Sequence, residues 1–155
     1  MIRNLLIAFS LLLLLVSACS EQKAEPQAEE QKASPKELQV VVPDFVAGQW
    51  QSVKISLHDQ ETGAENIYQV DIGGSFQIPG TSLRVTVESF LPAFSVNAKR
   101  ATSVTNQPTN PAMLIVVREG EQEIHRGWVF GLYPERHQYM NPRYKFVLLD
   151  YKPAG

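Results

Sequence analysis

Strict alternation of apolar and polar side chains marks the stretch Val53-Lys54-Ile55-Ser56-Leu57-His58. The same period of two recurs in Tyr68-Gln69-Val70-Asp71-Ile72 and in Leu83-Arg84-Val85-Thr86-Val87-Glu88. Successive side chains of a strand point to opposite faces of its sheet, so each stretch predicts a strand with one buried face and one wet face. The polar residues between the first two stretches, Asp59-Gln60-Glu61-Thr62-Gly63, predict a hairpin loop.

Glycine, proline and asparagine mark the turns between strands. Gly73-Gly74 and Pro79-Gly80 predict tight turns, and Glu119-Gly120-Glu121-Gln122 predicts a turn between two later strands. We explain Asn106-Gln107-Pro108-Thr109-Asn110-Pro111 and Asn141-Pro142 by turn formation rather than by contact with a partner. Asparagine side chains bond their own backbone and proline fixes φ, so both segments should set the direction of the strands that follow.

The later strands contain longer apolar runs. Met113 to Val117 and Phe146 to Leu149 are apolar at consecutive positions, which favours strands covered on both faces. A further strand is predicted from Glu123 to about Leu132, with Trp128 and Phe130 inside the domain. Its apolar side chains are expected on one face: Ile124, Trp128, Phe130 and Leu132.

The whole pattern predicts an all-β fold. No stretch after residue 40 has the apolar period of a helix. About seven to eight short strands at regular spacing indicate a compact antiparallel β-sandwich or small barrel, preceded by a disordered tether. Leu91 to Pro111 and Pro134 to Arg143 lack the strand pattern. Since long loops of a compact β domain are a usual place for function, we expect the contact surface there.

The amino terminus has the features of a secretory signal peptide. Met1-Ile2-Arg3-Asn4 is a positive tip, and an apolar run follows from Leu5 to Val16. Val16-Ser17-Ala18-Cys19 resembles a bacterial lipobox, which implies cleavage before Cys19 and attachment of acyl chains, palmitate among them, to this single cysteine. The alternatives are an ordinary signal peptide and a membrane anchor with a chance cysteine. The run is shorter than the roughly 20 apolar residues of a spanning helix.

Three regions follow from this interpretation: a signal peptide (residues 1–18), a lipid-anchored flexible linker (19–39) and one all-β periplasmic domain (40–155). The linker is polar and has no apolar face, so it cannot offset the entropy of ordering. Its reach as a random coil is about 25 Å. A short solvated helix is the alternative, although Pro26 and Pro35 argue against a long one. Ser20 after the cysteine favours the outer membrane over the inner membrane, by analogy with other bacterial lipoproteins.

Charge and residue content exclude several classes of function. The formal net charge is −2 with acids and bases interspersed, so the chain lacks the basic surface that nucleic acid requires. A lipidated Cys19 leaves no thiol for disulfides or thiol catalysis. The three histidines lack paired metal-ligand spacing, and His137 and Met140 lie too close in sequence to reach opposite faces of one haem. With no Gly-x-Ser-x-Gly turn, we expect no catalysis, no cofactor and no metal.

Aromatic residues in and beside the two expected loops are the candidate binding residues. Phe94, His137 and Tyr139 are candidates for contact with another envelope protein. Tyr133, Tyr139 and Tyr144 border the second loop and would form a stacking ledge for a glycan or small ligand. Amphipathic rings of this kind make contact surfaces at low entropic cost.

The order of four segments resembles a family of uncharacterised bacterial envelope proteins, many of them like lipoproteins, known as domain of unknown function 2155. The segments are Val87-Glu88-Ser89-Phe90-Leu91-Pro92-Ala93-Phe94, Asn106 to Ala112, Gly127-Trp128-Val129-Phe130 and Tyr133-Pro134-Glu135-Arg136-His137. The resemblance covers the domain from about Val40 to Tyr151. It implies an envelope location and provides no catalytic residues.

The same region, ending in Tyr144-Lys145-Phe146-Val147-Leu148-Leu149-Asp150-Tyr151, is similar to part of the periplasmic region of ResB-type proteins, which help attach haem to cytochromes c. Because we expect this chain to end at Gly155 without transmembrane helices, the resemblance implies a detached soluble portion with an accessory task.

Two functional hypotheses follow. In the first, a lipid-anchored periplasmic domain binds or supports the assembly of another envelope protein without catalysis, with a link to cytochrome c maturation. In the second, the domain is a glycan or small-ligand binding module of the envelope.

Overall fold

The computed structural model describes residues 38–136 and 141–155, and this part of the chain confirms the predicted all-β fold. The elements in chain order are β1 (Gln39–Val40), β2 (Trp50–Asp59), β3 (Glu65–Asp71), β4 (Ser75–Gln77), β5 (Leu83–Leu91), β6 (Phe94–Asn97), β7 (Arg100–Ser103), β8 (Ala112–Glu119), β9 (Gln122–Phe130), a 3₁₀ helix (Pro134–Arg136) and β10 (Tyr144–Pro153). The first strand begins at Gln39, one residue inside the predicted linker.

The strands form three sheets with mostly antiparallel pairing. The front sheet has the order β10-β2-β3, the central sheet has the order β4-β5-β8-β9, and the small sheet has the order β1-β7-β6, in which β1 pairs parallel with β7. The front and central sheets approach each other at both sides, where β3 meets β4 and β9 meets β10. The two sheets therefore wrap around one interior in a sandwich-like arrangement.

The main core lies between the front and central sheets. Alternate residues of β2 point into it, namely Val53, Ile55 and Leu57, as the period of two predicted. They meet inward side chains of the central sheet such as Val85 and Ile115. The other buried members of this cluster are Val70, Ile78, Val87, Phe90, Met113, Val117, Val129, Tyr144, Phe146 and Leu148.

A second apolar cluster lies on the opposite face of the central sheet, beneath the small sheet. Leu114 and Trp128 point to this face, whereas their strand neighbours Met113 and Val129 point into the main core. Ala101 of β7 packs against the same cluster. Residues 112–117 are buried throughout, so the prediction that the Met113 strand is covered on both faces is confirmed.

Two expectations about strand faces are wrong. Leu149 is 47 % exposed, because β10 belongs to the front sheet, whose outer face is wet, and the register shifts between Leu148 and Asp150. Ile124 and Leu132 do not share the buried face of Trp128. The register of β8 and β9 shifts next to Ile124, and Leu132 lies beyond the end of β9, so both side chains are exposed.

The segment Leu91 to Pro111, which we expected to be a loop, contains a two-stranded hairpin. Strands β6 and β7 pair from Phe94 with Ser103 to Asn97 with Arg100. They are too short to display a clear alternation. The turn between them places Ala98 at φ 53, a left-handed conformation that glycine usually occupies, and without a glycine the sequence does not indicate this turn. The second segment includes the 3₁₀ helix Pro134–Arg136.

Most predicted turns are present. In the loop after β2, the Asp59 carboxylate accepts hydrogen bonds from the backbone N–H groups of Glu61 and Thr62. The Asn141 side chain accepts one from the backbone N–H of Arg143, as expected for an asparagine that bonds its own local backbone. Within the described part of the chain, no helix has the length and apolarity needed to cross a membrane.

Candidate functional site

Phe94 is the predicted contact residue with the clearest structural role. Its ring lies 4.7 Å from the Trp128 ring and 5.1 Å from the Phe130 ring, measured between centroids. The side chain is half-buried in the second apolar cluster. Phe94 therefore holds β6 against β9, and only part of the ring faces solvent.

The asparagine segment before β8 supports the same hairpin through contacts that are distant in sequence. The Asn110 side chain donates to the Phe94 carbonyl at 2.9 Å, and the Trp50 indole N–H donates to the Asn106 side-chain oxygen at 2.8 Å. The expectation that these asparagines bond their own backbone is therefore wrong for both side chains. The buried indole N–H of Trp128 and side-chain oxygen of Asn110 have no hydrogen-bond partner among the described residues.

The expected tyrosine ledge is only partly supported. Tyr133 is 43 % exposed, and the Arg136 guanidinium lies 4.6 Å from its ring centroid. The surface placement of Tyr144 is wrong, since this side chain is 4 % exposed and belongs to the main core. Tyr144 is the first residue of β10 and alternates in phase with the buried Phe146 and Leu148, so its ring points into the main core. Three predicted functional residues lie outside the described residues: Cys19, His137 and Tyr139.

A charged cluster fixes the start of β10 to the hairpin after β2. Arg143 donates from Nη2 to Asp59 Oδ2 at 2.7 Å and contacts Glu61 at 3.0 Å. The hydrogen bonds from Arg143 lower the pKa of Asp59 from 3.8 to about 2, opposed by partial desolvation and aided by the N–H groups of Glu61 and Thr62. This cluster stabilises the end of the hairpin after β2. Its charged groups, Asp59, Glu61 and Arg143, are paired with one another, which fits a structural role.

One serine, one histidine and one glutamate meet on the outer face of the front sheet. Ser56 Oγ donates to Glu65 Oε1 at 2.6 Å and lies 3.0 Å from His58 Nε2. A hydrolytic triad needs an accessible hydroxyl that donates to histidine, with the acid on the other ring nitrogen. Here Ser56 is fully buried, and the glutamate lies 3.5 Å from the same Nε2 atom. The geometry therefore fits a structural hydrogen-bond cluster and not a nucleophile.

The position of the His125 ring explains why residue 127 of the Gly127-Trp128-Val129-Phe130 segment is a glycine. A Cβ atom at Gly127 would lie 2.5 Å from Nε2 of His125, two residues earlier on the same face of β9. The histidine ring lies across the glycine, so a larger residue would displace the ring. Among the described residues, no group of three or more metal-ligating side chains is close enough to hold a metal ion.

A cavity that no sequence pattern predicts lies between β3 and β4. We call the opening between residues 67–71 and 75–77 the β3–β4 seam. A cavity of about 360 Å³ opens there, beside the stacked rings of Tyr68 and Phe76, whose centroids are 4.0 Å apart. Burial raises the pKa of Tyr68. The Gly73-Gly74 turn was visible in the sequence, but nothing in the sequence indicated that the two strands it joins belong to different sheets.

Comparisons of this chain with protein-family models, with curated proteins and with solved structures give no match. The resemblance to domain of unknown function 2155 and to ResB-type proteins therefore stays a prediction.

Proposed function

We propose that this chain is a lipid-anchored protein on the periplasmic face of a bacterial membrane, with the outer membrane favoured, and that its β domain binds another envelope protein without catalysis. The lipobox-like Val16-Ser17-Ala18-Cys19 supports the anchor. Anchoring raises the effective concentration of the domain at the membrane surface, so a weak contact suffices for association.

The observation that carries the binding role is the exposed group that follows β9. Leu132 is 55 % exposed and Tyr133 43 %, and Arg136 lies over the Tyr133 ring. Tyrosine and arginine are enriched at protein interfaces, where an amphipathic ring and a planar cation offer large contact area. The similarity to the periplasmic region of ResB-type proteins favours a partner in cytochrome c maturation.

In-cell photo-cross-linking tests this function. A photoreactive amino acid replaces Leu132, the exposed neighbour of Tyr133, in the lipoprotein, and a matched protein carries it at Glu121, an exposed turn residue between β8 and β9. We expect one defined envelope protein captured from position 132 and not from position 121. Capture of equal, diffuse products from both positions would contradict a specific partner.

Fractionation tests the anchor separately. The substitution Cys19→Ala removes the acceptor for acyl chains, so the protein should leave the membrane fraction in the absence of detergent. A Ser20→Ala variant serves as the matched control and should stay membrane-bound. Firm membrane association of the Cys19→Ala protein would show that the lipobox interpretation is wrong.

The glycan-binding alternative has weaker support. Burial of Tyr144 removes one member of the expected ledge, and Arg136 covers one face of Tyr133. A glycan would need the remaining face of Tyr133, and a change in tyrosine fluorescence with cell-wall fragments, lost in Tyr133→Ala, would favour this alternative over a protein partner.

A further inference from the structure

The segment that leads from Cys19 enters the described domain at the small sheet. Strand β1 pairs parallel with β7, so that Gln39 lies opposite Arg100, and the Gln39 N–H donates to the Lys99 carbonyl at 2.8 Å. Lys99 lies in the turn between β6 and β7. The chain therefore joins the domain beside the tip of the β6–β7 hairpin.

One face of the small sheet is open to solvent. Val40, Phe94 and Ala101 point to the opposite face, where they pack in the second apolar cluster against the central sheet. We call the open face, together with the hairpin turn, the small-sheet outer face. A cavity of about 340 Å³ lies on it, lined by Val41, Asn97, Ala98, Arg100 and Thr102.

The small-sheet outer face is positively charged, although the formal net charge of the chain is −2. Lys99 and Arg100 are both exposed, and the sequence has no acidic residue between Glu88 and Glu119. Within the described residues, neither base forms an ion pair. Both charges are therefore available to an anionic partner.

The acidic residues that flank β1 in sequence do not cancel this charge. Lys36 and Glu37 precede the first described residue and offset each other. Asp44 follows β1, but Val42 and Val46 on either side of it line a different cavity, shared with β5. This segment therefore turns away from the small-sheet outer face.

The side chains around the cavity suit a phosphate group at an apolar boundary. Arg100 presents a planar guanidinium, which pairs with phosphate through two parallel hydrogen bonds, beside the amide of Asn97 and the hydroxyl of Thr102. Val41 and Val96 are exposed next to these polar groups. Basic and apolar side chains in this combination bind bilayers that contain anionic phospholipids.

We propose that the small-sheet outer face binds the phosphate groups of anionic phospholipids, so that the β6–β7 hairpin lies on the membrane surface that holds the acyl chains of Cys19. This proposal rests on the proposed function, because it names the face that the anchored domain turns toward its membrane. The entry of the chain beside Lys99 favours a membrane over a protein as the occupant. The linker predicted from Cys19 reaches about 25 Å as a random coil, so it holds this end of the domain near lipid.

Fluorescence quenching in vesicles tests the proposal with the acylated lipoprotein. An Ala98→Cys protein carries a nitrobenzoxadiazole dye at the hairpin tip, and a matched Glu121→Cys protein carries it in the turn after β8, at the end of that strand away from the second apolar cluster. The vesicles contain phosphatidylcholine with about a quarter phosphatidylglycerol, or phosphatidylcholine alone, and a trace of lipid with a nitroxide on its headgroup. We expect strong quenching at position 98 in the anionic vesicles only, and weak quenching at position 121 in both.

Charge reversal makes the test specific to the two bases. Lys99→Glu combined with Arg100→Glu should lower the ratio of docked to undocked protein about tenfold or more in anionic vesicles, because each base near an anionic surface contributes severalfold to binding. Lys54→Glu combined with Lys152→Glu is the matched control, since both lysines are exposed on the front sheet, and it should leave quenching unchanged. Salt at about 1 M shortens the Debye length to about 3 Å and should also reduce quenching at position 98. Thermal unfolding verifies that both double variants fold.

Quenching at position 98 that equals quenching at position 121, that needs no phosphatidylglycerol, or that survives reversal of Lys99 and Arg100 would each overturn the proposal. The dye is the same in every sample, so its own affinity for lipid does not explain a difference between samples. Flotation of the vesicles distinguishes this proposal from the proposed anchor. A protein that does not float with the vesicles contradicts the anchor and with it the docking, whereas one that floats without quenching at position 98 contradicts the docking alone.

Discussion

At the residue scale, Asp59 has a defined electrostatic role at the end of a hairpin. Its carboxylate accepts two backbone hydrogen bonds and pairs with Arg143, which lowers its pKa to about 2. The folded state therefore holds this group charged at pH values where the unfolded chain, with a pKa near 3.8, binds a proton. Its contribution to stability is complete above about pH 4 and is lost as the pH falls through about 2.

The substitution Asp59→Asn tests this contribution, because an asparagine oxygen can still accept the two backbone hydrogen bonds but no longer attracts Arg143. We expect the variant to be less stable than the original protein at pH 6, with a difference that shrinks between pH 4 and pH 2. Urea unfolding at several pH values measures this, and Glu121→Gln controls for the loss of one exposed carboxylate. A difference that stays constant down to pH 2 would contradict the assignment.

At the element scale, two predicted binding residues have different surroundings: Phe94 of β6 packs inside the fold, and Tyr133 after β9 is exposed. Phe94 and Tyr133 were both predicted as binding residues, but Phe94 lies between Trp128 and Phe130 while Tyr133 lies on the surface. Phe94→Ala should lower the free energy of unfolding by about 2 kcal/mol, below the range for a fully buried phenylalanine because the ring is half-exposed. Tyr133→Ala should cost under about 1 kcal/mol, since it loses an exposed cation–π contact.

Chemical denaturation of the two variants, combined with photo-cross-linking from an unchanged exposed position near Tyr133 such as Leu132, distinguishes the roles. We expect Phe94→Ala to lose stability and retain capture of the partner at low temperature, and Tyr133→Ala to retain stability and lose capture. Equal loss of stability in both variants would show that Tyr133 packs in solution more tightly than its exposure indicates.

The strands that could be predicted are those in which a period of two is long enough to be read. Val53 to Leu57 and Leu83 to Val87 alternate over several residues, and both face the main core as expected. Tyr144 could not be placed from the sequence, because the consecutive apolar residues from Phe146 to Leu149 do not indicate which face of β10 is buried. The β3–β4 seam is likewise invisible in sequence, since it depends on which strands fail to pair.

At the scale of the whole molecule, two apolar clusters of unequal size share the central sheet. The main core draws on the front and central sheets, whereas the second cluster holds the short strands of the small sheet through residues such as Leu91, Ala101 and Trp128. Stability is distributed unevenly when one part of a fold buries less apolar area than another. The small sheet also contains β1, so opening of this sheet would free the short strand Gln39–Val40 from the domain.

Native-state hydrogen exchange should therefore reveal two levels of protection. We expect hydrogen-bonded amides of β6 and β7 to exchange through a partial opening of lower free energy than the global unfolding that exposes amides of β2 and β8. Phe94→Ala should lower the opening free energy of the small sheet by about the 2 kcal/mol that the substitution costs there, because the ring's contacts belong to the second cluster. Amides of β2 should change less in that variant if the small sheet already opens separately. Equal opening free energies for all four strands would mean that the second cluster unfolds together with the main core.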